Sequence, residues 1–307
     1  MLAQGLPVGQ KTEINVVLTA TDARLDEVVV VGYSEVKYKD LTGSVGRANV
    51  GDMLKTDAGN IGEAFAGRVA GVQVTSNEGM PGEEMNIVIR GSNSVTQSNS
   101  PLYVIDGFPL EDTSMGALNP SDIASISILK DASATAIYGA RAANGVVLIN
   151  TKKGQADKTS VTFSNSTTFS SPFVMPRFQN TYGNVSGSYQ SWGDKTLRRF
   201  DPEGFFNTGS NVNNSLTFST GTQKHQTYFS AATTNARNIL PNSGYNRYNF
   251  TFRDVTKFLK DKLTVDLSAS YILQDNKNMI AAGKYFNPLP ALYLFPRGDD
   301  FDNVRLY

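Results

Sequence analysis

"NPSDIASISILKDASATAIYGARAANGVVLINTKKG", residues 119–154, is the stretch whose reading decides the fold. It carries its own punctuation. Asn119 is a good helix N-cap, and Pro120 suits a first helical position, where its missing N–H costs nothing. The apolar run through Ile126, Ile128 and Leu129 reads as a strand. Asp131 is placed to cap a helix that Gly139 ends, and Asn144-Gly145 supplies a tight turn into "VVLINT". Strand, helix, turn and strand in so short a span predict a small α/β domain.

Upstream, the same texture continues back to about residue 41. "NIGEAFAGRVAG" (60–71) opens on a capping Asn60 and closes on Gly71. "VQVTS" (72–76), "MNIVIRG" (85–91) and "PLYVIDG" (101–107) read as strands, and Asp106-Gly107 marks a turn. Downstream of Gly154 helical periodicity gives way to alternation with period two. In "KLTVDLSASYIL" (262–273) one face is Leu263, Val265, Leu267, Ala269, Tyr271 and Leu273, and the other is almost wholly polar. "YNRYNFTFRD" (245–254) sets Tyr248, Phe250 and Phe252 against Arg247, Asn249, Thr251 and Arg253. The pattern predicts strands at 159–170, 213–220, 225–235, 245–256 and 262–273. "GTQK" (221–224) is a short connector, whereas 171–212 and the tail from Gln274 are long and polar. Short turns on one side and long loops on the other fit an outer-membrane barrel with its apolar face in lipid. They fit a soluble β-sandwich with one solvated face as well. Alternation alone leaves both open.

The 307 residues carry 28 Lys+Arg and 28 Asp+Glu, a balance that argues against nucleic acid as a partner. There is no Cys and one His, His225, with no ligand spacing around it, so no metal or cofactor is expected. No phosphate-cradling glycine motif or nucleophile elbow is present, which leaves an enzyme little support. No apolar run approaches the ~18 residues of a membrane helix. "MLAQGLPVGQ" (1–10) lacks the basic start and apolar core of a signal peptide. "TEINVVL" (12–18) is a strand-like piece too small to be a domain.

"LDEVVVVGY" (25–33) poses a separate question. Four β-branched residues favour an extended strand, yet the polar "SEVKYKDLTGS" (34–44) that follows offers no obvious partner within the chain. It reads either as an ordinary strand or as a docking strand that adds to the sheet edge of another protein.

These segments together resemble the SusC/RagA family of TonB-dependent outer-membrane transporters. "LDEVVVVGY" is similar to the family's TonB box. "AGRVAGVQVTSNEGMPGEEMNIVIRGSNSV" (66–95) with "PLYVIDGFP" (101–109) is similar to its plug domain, and 119–154 to the plug's closing signature. "KTEINVVL" (11–18) looks like the end of a carboxypeptidase-regulatory-like domain, and "FNPLPALYLFPRGDDFD" (286–302) like an early extracellular loop. The resemblance implies an α+β plug domain followed by antiparallel strands of an incomplete outer-membrane β-barrel, about five of an expected 22. It implies a remnant at 1–24, TonB box and linker at 25–40, plug at 41–154, and first barrel strands and loops at 155–307. It also implies import of glycan or peptide oligomers, energised by a TonB-type transducer and assisted by a SusD-like lipoprotein lid. A five-stranded sheet leaves open edges in hydrocarbon, so the chain is expected to be a fragment unable to transport alone. A secreted β-rich ligand-binding or adhesion protein is the alternative.

The resemblance makes Asp26, Glu27, Val28, Val29, Val30, Val31, Gly32 and Tyr33 the TonB-docking residues. Arg90 at the strand end and Ser92, Asn93 and Ser94 in the loop 92–100 are candidates to face substrate, although a solvated loop with turn glycines explains them as simply. Lys130 and Arg141 are expected to pair with carboxylates of the plug or barrel wall. "GDDFDN" (298–303) lacks the spacing and closing Glu of a calcium loop. Tyr182, Tyr189, Trp192, Phe205 and Phe206 would stack on sugar rings or form an interfacial girdle.

Overall fold

The structure is a computed structural model and describes residues 28–31, 34–37, 45–54, 62, 66–75, 82, 85–92, 94, 96, 98–110, 118–131, 136–185, 188, 192–197, 199–277 and 287–301. The isolated strand expected at 12–18 lies outside them.

Strands β1 (Val28–Val31) and β2 (Ser34–Lys37) pair antiparallel, with Val31 opposite Ser34. The valine run therefore has a partner in its own chain, contrary to the sequence reading. Only Gly32 and Tyr33 separate the two strands, the length of a tight hairpin connection. Backbone pairing does not require an apolar partner, so polar "SEVK" serves.

The plug is built from β3 (Val45–Ala48), a short helix α1 (Val50–Leu54), β4 (Val72–Thr75), β5 (Asn86–Ile89), β6 (Leu102–Ile105), β7 (Phe108–Pro109), β8 (Ile123–Leu129) and β9 (Val146–Thr151). Its main sheet has the order β3-β8-β9-β6-β7, and β4-β5 form a separate hairpin. Only β6 and β9 run parallel. Both faces of the sheet are covered, which is why its central strands are near-continuous apolar runs. Ile126, Ile128, Val147 and Ile149 pack beneath α1 and the β4-β5 hairpin. Leu102, Val104, Leu129, Val146 and Leu148 pack on the other face with Ala142 and Tyr138.

Between β8 and β9 the expected helix is a 3-10 segment, Ala136–Ala142. Gly139 does not end it. It interrupts it, with φ 67° and ψ −157°, and the turn resumes beyond. A left-handed φ is cheap only for glycine, so the element kinks there.

The second half is one antiparallel meander: β10 (Ser160–Ser170), β11 (Gly209–Gly221), β12 (His225–Arg237), β13 (Gly244–Phe258) and β14 (Leu263–Lys277). A second short helix, α2 (Pro288–Tyr293), starts at Asn287, whose side chain accepts from the Leu289 N–H at 2.9 Å. All five strands match the alternation in the sequence. A strand of ~13 residues at ~3.3 Å each, tilted ~45°, covers ~30 Å, the thickness of a bilayer core. The sheet is open, and its edges β10 and β14 have no further neighbour among the described residues.

The sheet turns its polar face to the plug. On β13, Arg247, Asn249 and Arg253 are 2%, 3% and 5% exposed, while Tyr248, Phe250 and Phe252 are 37%, 45% and 39% exposed. Register carries the apolar face across all five strands. Val161, Phe218, Phe229, Phe252 and Ala269 stand opposite one another in one row, and Phe163, Leu216, Ala231, Phe250 and Tyr271 in the next. A soluble sandwich would bury these rows and wet the arginines. The observed arrangement is that of a barrel wall with a polar interior.

Candidate functional site

The contact between plug and sheet is where the chain concentrates its chemistry. The two halves approach at backbone distance at Gly154, the residue that links them. A Cβ there would lie 2.4 Å from the Thr227 nitrogen and 2.5 Å from the Thr220 carbonyl oxygen, so no side chain fits. At Gly82, with φ +82°, a Cβ would fall 2.3 Å from the ring of Tyr245 on β13.

Two plug carboxylates reach the polar face. Asp122 follows Pro120 in a short 3-10 turn capped by Asn119 and is 4% exposed. It accepts from the Tyr228 hydroxyl at 2.9 Å and from Thr251 Oγ1 at 3.1 Å. Burial pushes its pKa above the usual aspartate range, against the pull of those hydroxyls and of the Lys152 charge. Lys152 is pushed down by burial, with Asp122 opposing. Asn119 also reaches the sheet, its Nδ2 donating to Ser215 Oγ at 3.5 Å.

Asp106 sits in the turn after β6 and accepts from the Thr151 N–H at 2.9 Å and from Thr151 Oγ1 at 2.6 Å. Arg253 of β13 joins it. One guanidinium nitrogen lies 2.9 Å from Asp106 Oδ1 and donates to Thr151 Oγ1 at 2.6 Å. The other edge meets Asp266 of β14 as a fork, Nε to Oδ1 at 2.9 Å and Nη2 to Oδ2 at 2.8 Å. Lys153 adds a second cation to Asp266 at 3.5 Å. One buried guanidinium thus ties the plug turn to two adjacent strands, using the planar donor set that distinguishes Arg from Lys.

These residues escaped the sequence reading. Asp106 was legible only as a turn residue, and Arg253 only as one member of a polar face. Arginines recurring on one face of a strand were the available signal, since buried cations need counter-charges.

The proposed substrate loop has a different setting. Arg90 forms an ion pair with Asp131 and donates to the Lys130 carbonyl, which fastens β5 to the end of β8. Ser92 is exposed and Ser94 half-buried, while Asn93 lies outside the described residues. Asn99 closes the loop, accepting from Ser94 N and donating to Ser94 O at 2.8 Å each. Lys130 and Arg141 donate to the carbonyls of Ala70 and Leu110, and neither meets a carboxylate among the described residues. Of the docking segment, Val28–Val31 form β1, and Asp26, Glu27, Gly32 and Tyr33 lie outside the described residues.

At the long-loop end, Arg297 lies between the rings of Phe178 and Phe200, 4.5 and 4.3 Å from their centroids. It donates to the carbonyl oxygens of Phe295 at 2.6 Å and Tyr293 at 3.3 Å. Burial holds its pKa below the usual arginine value. Beside it a cavity of about 510 Å³ is lined by Arg199, Phe200, Asp201, Asp299, Asp300 and Phe301. Tyr182 and Trp192 pack at 5.9 Å and Phe205 and Phe206 at 5.4 Å, in the loop rather than on the strands. Tyr189 lies outside the described residues.

Comparison with known proteins agrees with this geometry. Residues 37–146 match the model of the TonB-dependent Receptor Plug Domain. TonB-dependent receptor SusC of Bacteroides thetaiotaomicron is 34% identical over 290 residues, covering 89% of this chain and 28% of that protein. TonB-dependent receptor P26 of Formosa agariphila is 35% identical over 311 residues, covering 92% of this chain and 30% of its own length. The chain therefore spans under a third of these curated relatives. The RagAB peptide importer in its 'open-open' state superposes with a TM-score of 0.70 at 26% identity, over 84% of this chain and 33% of the matched chain.

Proposed function

The chain belongs with the SusC/RagA-type TonB-dependent receptors, and on that premise we propose that it serves energised uptake of glycan or peptide oligomers across a bacterial outer membrane. The observation that carries this reading is the inverted sheet, apolar rows outward and arginines inward, wrapped on a plug. The plug and the short turns face the periplasm, and the long loops face outward. A SusD-like lipoprotein covers the loop side, and the loop 92–100, with Arg90, Ser92, Asn93 and Ser94, faces the substrate path. The role is transport rather than catalysis. Conduction needs strands beyond these five, because two open edges in hydrocarbon leave backbone groups unsatisfied.

Energy enters through residues 26–33. A two-stranded hairpin of four residue pairs is marginal in water. Val28–Val31 therefore exchange or extend their pairing at little cost and add to the sheet edge of a periplasm-spanning TonB-type transducer. The test is a pull-down with the periplasmic domain of such a transducer. Val29→Pro removes a ladder donor and is expected to abolish capture while leaving the plug folded. Capture at the unmodified level would reject the docking role.

A further inference from the structure

The short-turn end of the sheet carries a charge pattern that uptake does not use. Backbone hydrogen bonds gather its parts: Asp157 N donates to the Gly221 carbonyl at 2.9 Å, and Lys257 N to the Lys224 carbonyl at 2.7 Å. This brings Lys158, Lys224 and Lys257 to one rim, beside Lys260 and Lys262 of the β13–β14 turn. All five are exposed, and none is in an ion pair among the described residues. Among the described residues the acids at this end are Asp157, Asp254, Asp261 and Asp266, the last of them held by Arg253 and Lys153. Asp254 is already occupied. It accepts from Thr227 Oγ1 and Thr256 Oγ1, both at 2.8 Å, and lies 3.4 Å from His225 Nε2. The opposite end, by contrast, sets Arg199, Arg297 and Lys195 among Asp194, Asp201, Asp299 and Asp300.

The lysines lie against the apolar belt. The outward row of Phe229 and Phe252 is followed toward the turn by Thr227 and Asp254, then by His225 and Thr256. Phe258 and Leu263 stand opposite each other at its foot, and Leu259 at the turn is 73% exposed. Exposed apolar side chains interleaved with unpaired lysines suit one boundary, where hydrocarbon meets charged headgroups and long cationic side chains reach outward.

We propose that this rim, centred on Lys224, Lys260 and Lys262, is a binding surface for anionic phospholipid headgroups of the periplasmic leaflet. It rests on the membrane reading above. The lysines supply the cations for lipid phosphates, and Phe258, Leu259 and Leu263 enter the acyl boundary. Continuity with the lipid-facing rows favours a lipid over a soluble partner. The surface would fix the height and tilt of the sheet.

The test uses the full chain, folded in micelles and transferred to vesicles of phosphatidylcholine alone or with roughly a third phosphatidylglycerol, with partition read by flotation. For three surface lysines the preference for anionic vesicles is expected to be roughly a hundredfold at low salt, shrinking as salt screens it. K224Q/K260Q/K262Q is expected to remove most of the preference, leaving only what Lys158 and Lys257 supply, without changing strand content by circular dichroism. K224R/K260R/K262R is expected to keep it. Equal partition into both vesicles, or an unchanged preference in the glutamine variant, overturns the headgroup surface and leaves the membrane reading standing. No partition into either vesicle overturns both.

Discussion

The plug sheet and the five-stranded sheet are made by one chain, yet they sort their side chains in opposite ways. In the plug, Ile128, Leu129, Val146 and Val147 are 0% exposed. In the meander, Phe163 and Phe169 are 67% and 71% exposed, and Arg247 and Arg253 are buried. The apolar content of the strands does not explain the contrast. What differs is the body that covers each face. The plug sheet is covered on both sides by its own hairpin, helix and turns, so burial from water drives it. The meander is covered on one side only, by a plug offering Asp106, Asp122 and Asn119, and polar residues are drawn to that side by hydrogen bonds.

The widest test of this contrast places one substitution in both regions. Val147→Arg puts an unpaired charge at the centre of the plug core, and the plug is expected to lose its fold, read as rapid proteolysis of residues 41–154 in any solvent. Phe250→Arg is expected to cost little in micelle-free buffer but about 2–4 kcal/mol in a bilayer, measured as a shift in urea midpoint in vesicles. Equal losses at both positions would show that the meander's apolar face is an ordinary core surface.

A second test breaks the join. Arg253→Ala leaves Asp106 and Asp266 without their guanidinium, and removing one partner of a buried pair typically costs about 3–5 kcal/mol. The plug is expected to separate from the sheet at lower denaturant, while β8 and β9 keep their hydrogen-exchange protection. Simultaneous melting of both would mean that the two regions form one cooperative unit.

The smallest effect concerns pH. The folded pKa of Asp122 is raised by burial, so the native state holds its proton more tightly than the unfolded chain. Below the ordinary aspartate value of about 4 the group imposes no penalty. As pH rises from there through the raised folded value, the unfolded chain ionises first and the contact weakens. Asp122→Asn is expected to flatten that part of the stability profile. A profile of unchanged slope would assign the dependence to other groups.

The five meander strands were legible because alternation is local: each strand displays its two faces within a dozen residues. Observed boundaries run a few residues longer, as at Gly209–Gly221 against 213–220, because ladder pairing continues where alternation fades. The helix before Gly139 was less legible. Capping signals there describe a possible α-helix, and the kinked 3-10 segment depends on packing against Val45, Leu102 and Val146. In the candidate site, Asp106 and Arg253 are 147 residues apart, and their meeting follows from β6 lying beside β9, which places Thr151 and its turn against β13. The pairing of β1 with polar β2 was missed because sequence patterns weigh side chains, whereas a hairpin is made by backbone groups.

The sequence by itself determined which segments of the second half are strands, where the plug texture stops at Gly154, and which residues of those strands share a face, since periodicity and turn residues are properties of neighbours along the chain. Only the tertiary structure decided which face of the meander looks inward. Alternation is symmetric between the two sides of a sheet, and that symmetry is broken only by what packs against it. Here a plug presenting carboxylates claims the arginines and hydroxyls, and leaves the phenylalanines to the membrane.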